Sequence, residues 1–146
     1  MDCQKVSIRE FKPEDYDGII SLWNNANLSY KPKGRDSYEN LSEQVRNGTT
    51  ILLIAEVNDE IVGTALGTHD GRKGWINRVA VDSRFRRQKI AKRLVSKLES
   101  WFEKNGLEVF ACMIETGNTI SMEVFKNLGY EEWDGSYFSK RKSNES

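Results

Sequence analysis

The sequence predicts an α/β (α+β) fold with a mixed central sheet of about seven strands and four helices. Three observations carry that prediction. Runs of β-branched and aromatic residues alternate with stretches whose apolar residues recur every three or four positions. The second, third and fourth runs are joined by short Asn, Asp and Gly turns, which make antiparallel hairpins. The fourth and fifth are joined instead through an amphipathic helix, the connection two parallel strands need.

In chain order, Val6 to Phe11 reads as a first strand. Pro13 then falls where a first helical turn tolerates it, ahead of Tyr16, Ile19, Ile20 and Trp23 at helical spacing. A loop from Asn27 to Arg35 holds Pro32 and Gly34. Asp36 followed by Glu39 forms a capping-box pattern for a second helix that carries Tyr38, Leu41 and Val45 and stops at Gly48. Thr50 to Val57 and Glu60 to Gly67 flank the Asn58-Asp59 turn as a hairpin, and a turn over 70–74 leads into a fourth strand, Trp75 to Val81.

The third helix keeps Ile90, Leu94, Val95, Leu98, Trp101 and Phe102 on one face and ends at Asn105-Gly106. Leu107 to Glu115 is a fifth strand. Asn118 opens a fourth helix bearing Ile120, Val124, Phe125 and Leu128, with Gly129 as its stop. Tyr130 to Trp133 and Ser136 to Lys140, joined at Asp134-Gly135, read as a last hairpin whose edge could pair two copies into a homodimer. The order βααβββαβαββ contains no repeat or linker. Residues 1–146 are therefore expected to form one domain, with its core over about 5–141 and a frayed end.

Composition narrows the function classes. With 22 basic and 22 acidic side chains the formal net charge is zero, so no global field recruits nucleic acid or an anionic membrane. No apolar run approaches the ~20 residues needed to span a bilayer, and the first residues lack an apolar signal region, so a cytoplasmic protein is expected. Cys3 and Cys112 are read as reduced, with Cys112 as a small core residue in a strand. One His and two distant Cys give no metal site. A dinucleotide-binding doubly wound domain is disfavoured because Gly-x-Gly-x-x-Gly is absent and strands two to four are hairpin-linked.

The chemistry concentrates in residues 79–92, where a buried-type strand, Val79-Ala80-Val81, runs into a cationic turn and then a helix. Unpaired N–H groups and the positive dipole end at a helix start favour an anion, and Arg86, Arg87, Lys89 and Lys92 add mobile positive charge. Arg86, Lys89 and Ala91 fall on Arg-x-x-Gly-x-Gly/Ala, the pyrophosphate motif of the GNAT superfamily, with Lys89 in place of its first Gly. Asn118 seven residues before Phe125, and Leu128-Gly129-Tyr130, are also similar to that family, and the element order resembles its fold from end to end. The similarity is to small stand-alone N-acetyltransferases.

The resemblance implies acetyl-CoA as co-substrate and a primary amine, on a small molecule or a peptide, as acceptor. It implies that strands four and five splay apart to admit the pantetheine arm, which pairs with the backbone of Val79, Ala80 and Val81. The backbone of Arg87, Gln88, Lys89, Ile90, Ala91 and Lys92 would surround the pyrophosphate, with Asn118, Phe125 and Lys126 walling the other side. Lysine at position 89 costs the backbone little if its dihedrals are those of an ordinary helix. Tyr30, Asn77 and Arg78 are expected on the acceptor side.

Transfer to an amine needs a neutral nucleophile, and a lysine amine with a pKa near ~10.4 would need a base. Glu115, Asp70 and His69 are candidates because strand ends border the cleft. The helix position that carries a hydroxyl donor in many similar proteins is Phe125, which cannot donate. Tyr137, a water, or unaided departure of the thiolate would then serve. Two readings follow: an N-acetyltransferase working by direct transfer in a ternary complex, and a catalytically silent acyl-CoA-binding domain.

Overall fold

Alternation along one strand explains how the sheet is covered on both sides. In the computed structural model, which describes residues 5–28 and 30–144, Ile51, Leu53, Ala55 and Val57 of β2 (Thr50–Val57) point into one apolar layer, while Leu52 and Ile54 point into the other. β1 (Ser7–Glu10), β2, β3 (Glu60–His69) and β4 (Gly74–Val81) form an antiparallel sheet in that order. β5 (Phe110–Cys112) adds in parallel beside β4.

One layer is α3 (Ile90–Lys104), whose buried stripe is Ile90, Leu94, Val95, Leu98 and Phe102. Each of these contributes about 1.5–3 kcal/mol by leaving water. The helix lies close because Gly63, Ala65 and Gly67 face it along β3. A Cβ at Gly67 would come within 3.0 Å of Leu98 and 3.3 Å of Phe102. The other layer is α1 (Tyr16–Asn25), preceded by a 3-10 turn at Pro13–Asp15, and α2 (Tyr38–Arg46). It buries Ile19, Leu22, Trp23 and Leu41 against Leu52, Ile54 and Ala80. α4 (Thr119–Asn127) follows β5 and buries Phe125.

Four helices and a mixed sheet agree with the expectation, but the described residues hold five strands where about seven were expected. The last hairpin is absent: residues 130–140 form no strand, and Trp133, Tyr137 and Phe138 are exposed. Its Asp-Gly turn and alternating residues are local signals, whereas a two-stranded ribbon holds only when a sheet face accepts it. The hairpin edge expected to join two copies is thus not formed. β5 is also shorter than residues 107–115, and only three of its residues pair with β4. At the start of α2 the cap is Ser37, whose hydroxyl accepts from the Asn40 N–H at 3.1 Å, and Asp36 is buried one residue earlier. Cys3 lies outside the described residues. No helix among the described residues is long and apolar enough to cross a membrane.

Candidate functional site

The site starts where two parallel strands part. Gly74, Trp75 and Ile76 of β4 pair with Phe110, Ala111 and Cys112 of β5, and pairing stops there. From Asn77 to Val81 no ladder continues between β4 and β5, which leaves this edge of β4 without a neighbouring strand. The same stretch holds a β-bulge. Leu66 of β3 faces Asn77 and Thr64 faces Ala80, so Arg78 and Val79 together oppose Ala65.

The bulge changes which way side chains point. Gly74 and Ile76 face α3, and strict alternation would send Arg78 the same way, into apolar surroundings. Instead Arg78 adopts φ 54° and turns to the α1/α2 layer, after which Val79 and Val81 face α3 and Ala80 faces α1. The buried Thr64 hydroxyl donates to the Arg78 carbonyl at 2.8 Å and accepts from the Trp23 indole N–H at 3.0 Å. The Arg78 guanidinium lies 5.2 Å from the centre of the Trp23 ring and 2.6 Å from Asp36 Oδ2. Burial lowers the Arg78 pKa, and Asp36 opposes that shift.

Beyond Val81 the chain makes a 3-10 turn over Ser83–Gln88, capped by Asp82, whose Oδ1 accepts from the Arg84 N–H at 3.0 Å. Arg84 pairs with Asp82 and Glu60, and its hydrogen bond is the main reason the Asp82 carboxyl lies below its ordinary pKa. Arg86 Nε donates to the Val81 carbonyl at 3.3 Å. For Arg87 and Gln88 only the backbone is described, so their side chains lie outside the described part.

Lys89 departs from expectation. It joins the turn to α3 at φ 58°, ψ 28°, the left-handed region, so it does not have ordinary helical dihedrals and carries a strain of about 1–2 kcal/mol that glycine would avoid. The first α-helical bond beyond it runs from the Arg93 N–H to the Lys89 carbonyl, which leaves the N–H groups of Ile90, Ala91 and Lys92 at the open start of the helix. Beside this turn is a cavity of about 310 Å³ lined by Leu22, Asn25 and Ala26 of α1 and by Val81, Asp82, Ser83, Arg84 and Arg86.

The remaining predicted residues divide into those near the cleft and those away from it. Asn118 caps α4 through a 3.1 Å bond from the Ser121 N–H, Phe125 is buried edge-on to Tyr130, and Lys126 is exposed. Glu115, exposed, follows the end of β5 by three residues. Asn77 is exposed, and Tyr30 is half-buried with its ring 6.2 Å from that of Trp23. Asp70 and His69 sit instead where β3 pairs with Gly74, seven residues from Val81 along β4, or about 23 Å of strand. The Asp70 carboxylate receives the N–H groups of Arg72 and Lys73, both at 2.9 Å, and these bonds lower its pKa. His69 Nδ1 receives the Gly71 N–H at 3.2 Å. Asp70 is occupied in a turn, whereas His69 Nε2 is buried without a hydrogen-bond partner beside the Trp101 ring. Tyr137 is 69% exposed on the C-terminal segment. Cys112 is half-buried against the core rather than inside it, and burial pushes its thiol up to about 11, which argues against a nucleophile.

Sequence reasoning missed Asp36, Thr64 and the α1 wall of the cavity. Asp36 carried a signal, since Asp-Ser ahead of a helix offers two caps, and the one not used is left free to pair elsewhere.

A sequence model of the Acetyltransferase (GNAT) family matches residues 16–130. The chain belongs to the GNAT acetyltransferase family. Solved structures agree in fold with this GNAT chain at low identity. The aminoglycoside acetyltransferase AAC(6')-Iy, bound to the bisubstrate analogue CoA-S-monomethyl-acetylneamine, is 19% identical with a TM-score of 0.78, over 95% of this chain and 99% of that one. Glucosamine-6-phosphate N-acetyltransferase from Arabidopsis thaliana is 18% identical with a TM-score of 0.77, over 96% and 100%. A predicted acetyltransferase from Clostridium acetobutylicum, solved with acetyl-CoA, is 16% identical with a TM-score of 0.77, over 93% and 96%.

Proposed function

We propose that this chain moves the acetyl group of acetyl-CoA to a primary amine of a small molecule or peptide, by direct transfer in a ternary complex. The observation that carries the reading is the parting of β4 from β5 after Ile76 and Cys112, with the open start of α3 and Arg86 at the end of the same strand. The matched family and the CoA-containing neighbours support it.

The residues present fit the co-substrate. The N–H groups of Ile90 to Lys92 and the Arg86 side chain would hold its pyrophosphate, and the open β4 edge at Val79 and Val81 would hold the arm, with Asn118 and Lys126 opposite. Bound acetyl-CoA supplies a thioester whose thiolate, near pKa ~8.5 by analogy with cysteine, is a good leaving group. The chain's own contribution is orientation and proton handling. Glu115, three residues beyond β5, is the base in this reading, taking the amine proton directly or through water, because Asp70 is committed to its turn.

Phe125 offers no proton, and the Tyr130 hydroxyl behind it is already donated to Glu99 at 2.6 Å. Burial, and then that pairing, raise the Tyr130 pKa far above the ordinary phenol value. The thiolate therefore leaves without an acid from α4. The same observation favours the second reading, a silent acyl-CoA binder.

Titration calorimetry with acetyl-CoA and with CoA lacking the 3′-phosphate, followed by thiol release on a panel of amines, separates the readings. Micromolar binding with amine-dependent release is expected, and Arg86→Ala should weaken binding about 10–100-fold, the range for a charge-assisted hydrogen bond. Binding without release supports the silent binder, and no binding overturns both.

A further inference from the structure

The loop between α1 and α2 is tied to the sheet at the β4 bulge. Asp36 uses its backbone and its side chain to hold the loop: its N–H donates to the Lys31 carbonyl at 3.0 Å, Oδ2 accepts from the Lys31 N–H at 2.7 Å, and its carbonyl accepts from the Tyr16 hydroxyl at 2.7 Å. The rest of the loop leans on α2, through Asn40 Nδ2 to the Gly34 carbonyl at 2.7 Å and Gln44 Nε2 to the Arg35 carbonyl at 2.9 Å. Those bonds alone would let loop and helix shift together. The link from Asp36 to β4 is the 2.6 Å pair with Arg78, whose side chains are only 5% and 12% exposed.

Three features show that Arg78 is built to make this link. Its backbone takes a left-handed conformation that a non-glycine residue adopts only when its surroundings enforce it. The bulge turns its side chain away from the apolar α3 face. Thr64 and the Trp23 ring then fix its carbonyl and its guanidinium. A buried charge pair of this kind resists separation, because either partner alone would be an uncompensated buried charge. Tyr30, on the loop, packs on the same Trp23 ring.

We propose that the Asp36–Arg78 pair is a strut that fixes the α1–α2 loop over the bulged stretch of β4, so that both are positioning residues for the acceptor amine. This assigns Arg78 a structural partner in place of the direct substrate contact expected from sequence, and it rests on the transferase reading above. The strut sets the distance between Tyr30 and the point where β4 leaves β5. Its loss loosens the acceptor wall and leaves the start of α3 untouched.

The test uses the full chain with Asp36→Asn, and Arg78→Lys as a milder variant that keeps a cation within reach of Asp36. In Asp36→Asn, amide exchange over residues 31–37 should accelerate at least tenfold. The KM for the best amine of the panel should rise at least tenfold, and the acetyl-CoA Kd should stay within twofold. Arg78→Lys should raise the KM by less. Faster exchange with an unchanged amine KM overturns the strut as an acceptor device. So does a parallel loss of acetyl-CoA affinity, which would make the pair a general support. A wild-type chain that binds acetyl-CoA and acetylates no amine defeats the transferase reading itself, and the acceptor role falls with it. Should Asp36→Asn not fold, Arg78→Lys carries the same measurements.

Discussion

The two faces of the sheet are built on different physics. Toward α3 the buried residues, among those described, are apolar, a continuous set from Val6 through Leu53, Ala65, Ile76 and Val81 to Leu98 and Phe102. Toward α1 and α2 the apolar residues are interrupted by buried polar ones. Asp15, Asp36, Ser42 and Thr64 all belong to that side, and Arg9 and Arg78 enter it from β1 and β4. An apolar face is held by area and shape and tolerates small slips, whereas a face of directed hydrogen bonds specifies one arrangement and penalises departures from it. The first face fixes α3 against the sheet, and the second fixes the bulge and the loop around it.

Truncating the apolar face should have the largest effect. Phe102 is fully buried, its ring 5.3 Å from Phe110 and in contact distance of Gly74, so Phe102→Ala should cost about 3–5 kcal/mol in denaturant unfolding. A loss below 1 kcal/mol would mean that this face is not the main source of stability. On the polar face, Thr64→Val keeps the shape but removes the acceptor of the Trp23 N–H and the donor to the Arg78 carbonyl. It should cost about 1–3 kcal/mol by the same measurement, and a neutral result would deny the network its specifying role.

The pH dependence should come from the polar face as well. The hydrogen bonds from Arg9 hold the Asp15 carboxyl below its ordinary 3.8. The stability this contributes is fully present above the unfolded-state value and is lost as pH falls through the lower folded one. Unfolding free energy measured from pH 6 down to 2 should therefore decline below about pH 4, and Asp15→Asn should flatten that part of the curve. An unchanged slope in the variant would place the acid sensitivity elsewhere. The smallest effect belongs to the junction of the two faces, where Lys89→Gly relieves a left-handed residue. A gain of up to about 1 kcal/mol, or about 2–4 °C in melting temperature, is expected, and a loss would show that the Lys89 side chain makes compensating contacts.

Much of the fold was legible because local signals and tertiary demand coincide. The apolar stripe of α3 and the turn at Asn58 and Asp59 each name one structure, and all are present. The succession of strand, cationic turn and helix start over residues 79–92 was legible for the same reason, since the three are neighbours in sequence. The last hairpin was misread because strand formation depends on a partner, and residues 130–140 pair with no strand among the described residues. Lys89 was misread because the sign of φ leaves no trace in residue type once glycine is replaced.

By itself the sequence determined the class of fold, the order of elements through α4, the run of strand, cationic turn and helix over 79–92 and the resemblance that the matched family supports. These depend on periodicity, capping and charge, which act over a few residues. Tertiary structure alone decided that β4 parts from β5 after Ile76, that Arg78 turns to the polar face, and that Asp36 meets it. Each of these depends on what stands across the sheet, 42 residues away for Arg78 and Asp36, and a one-residue bulge reverses the facing that alternation alone would predict.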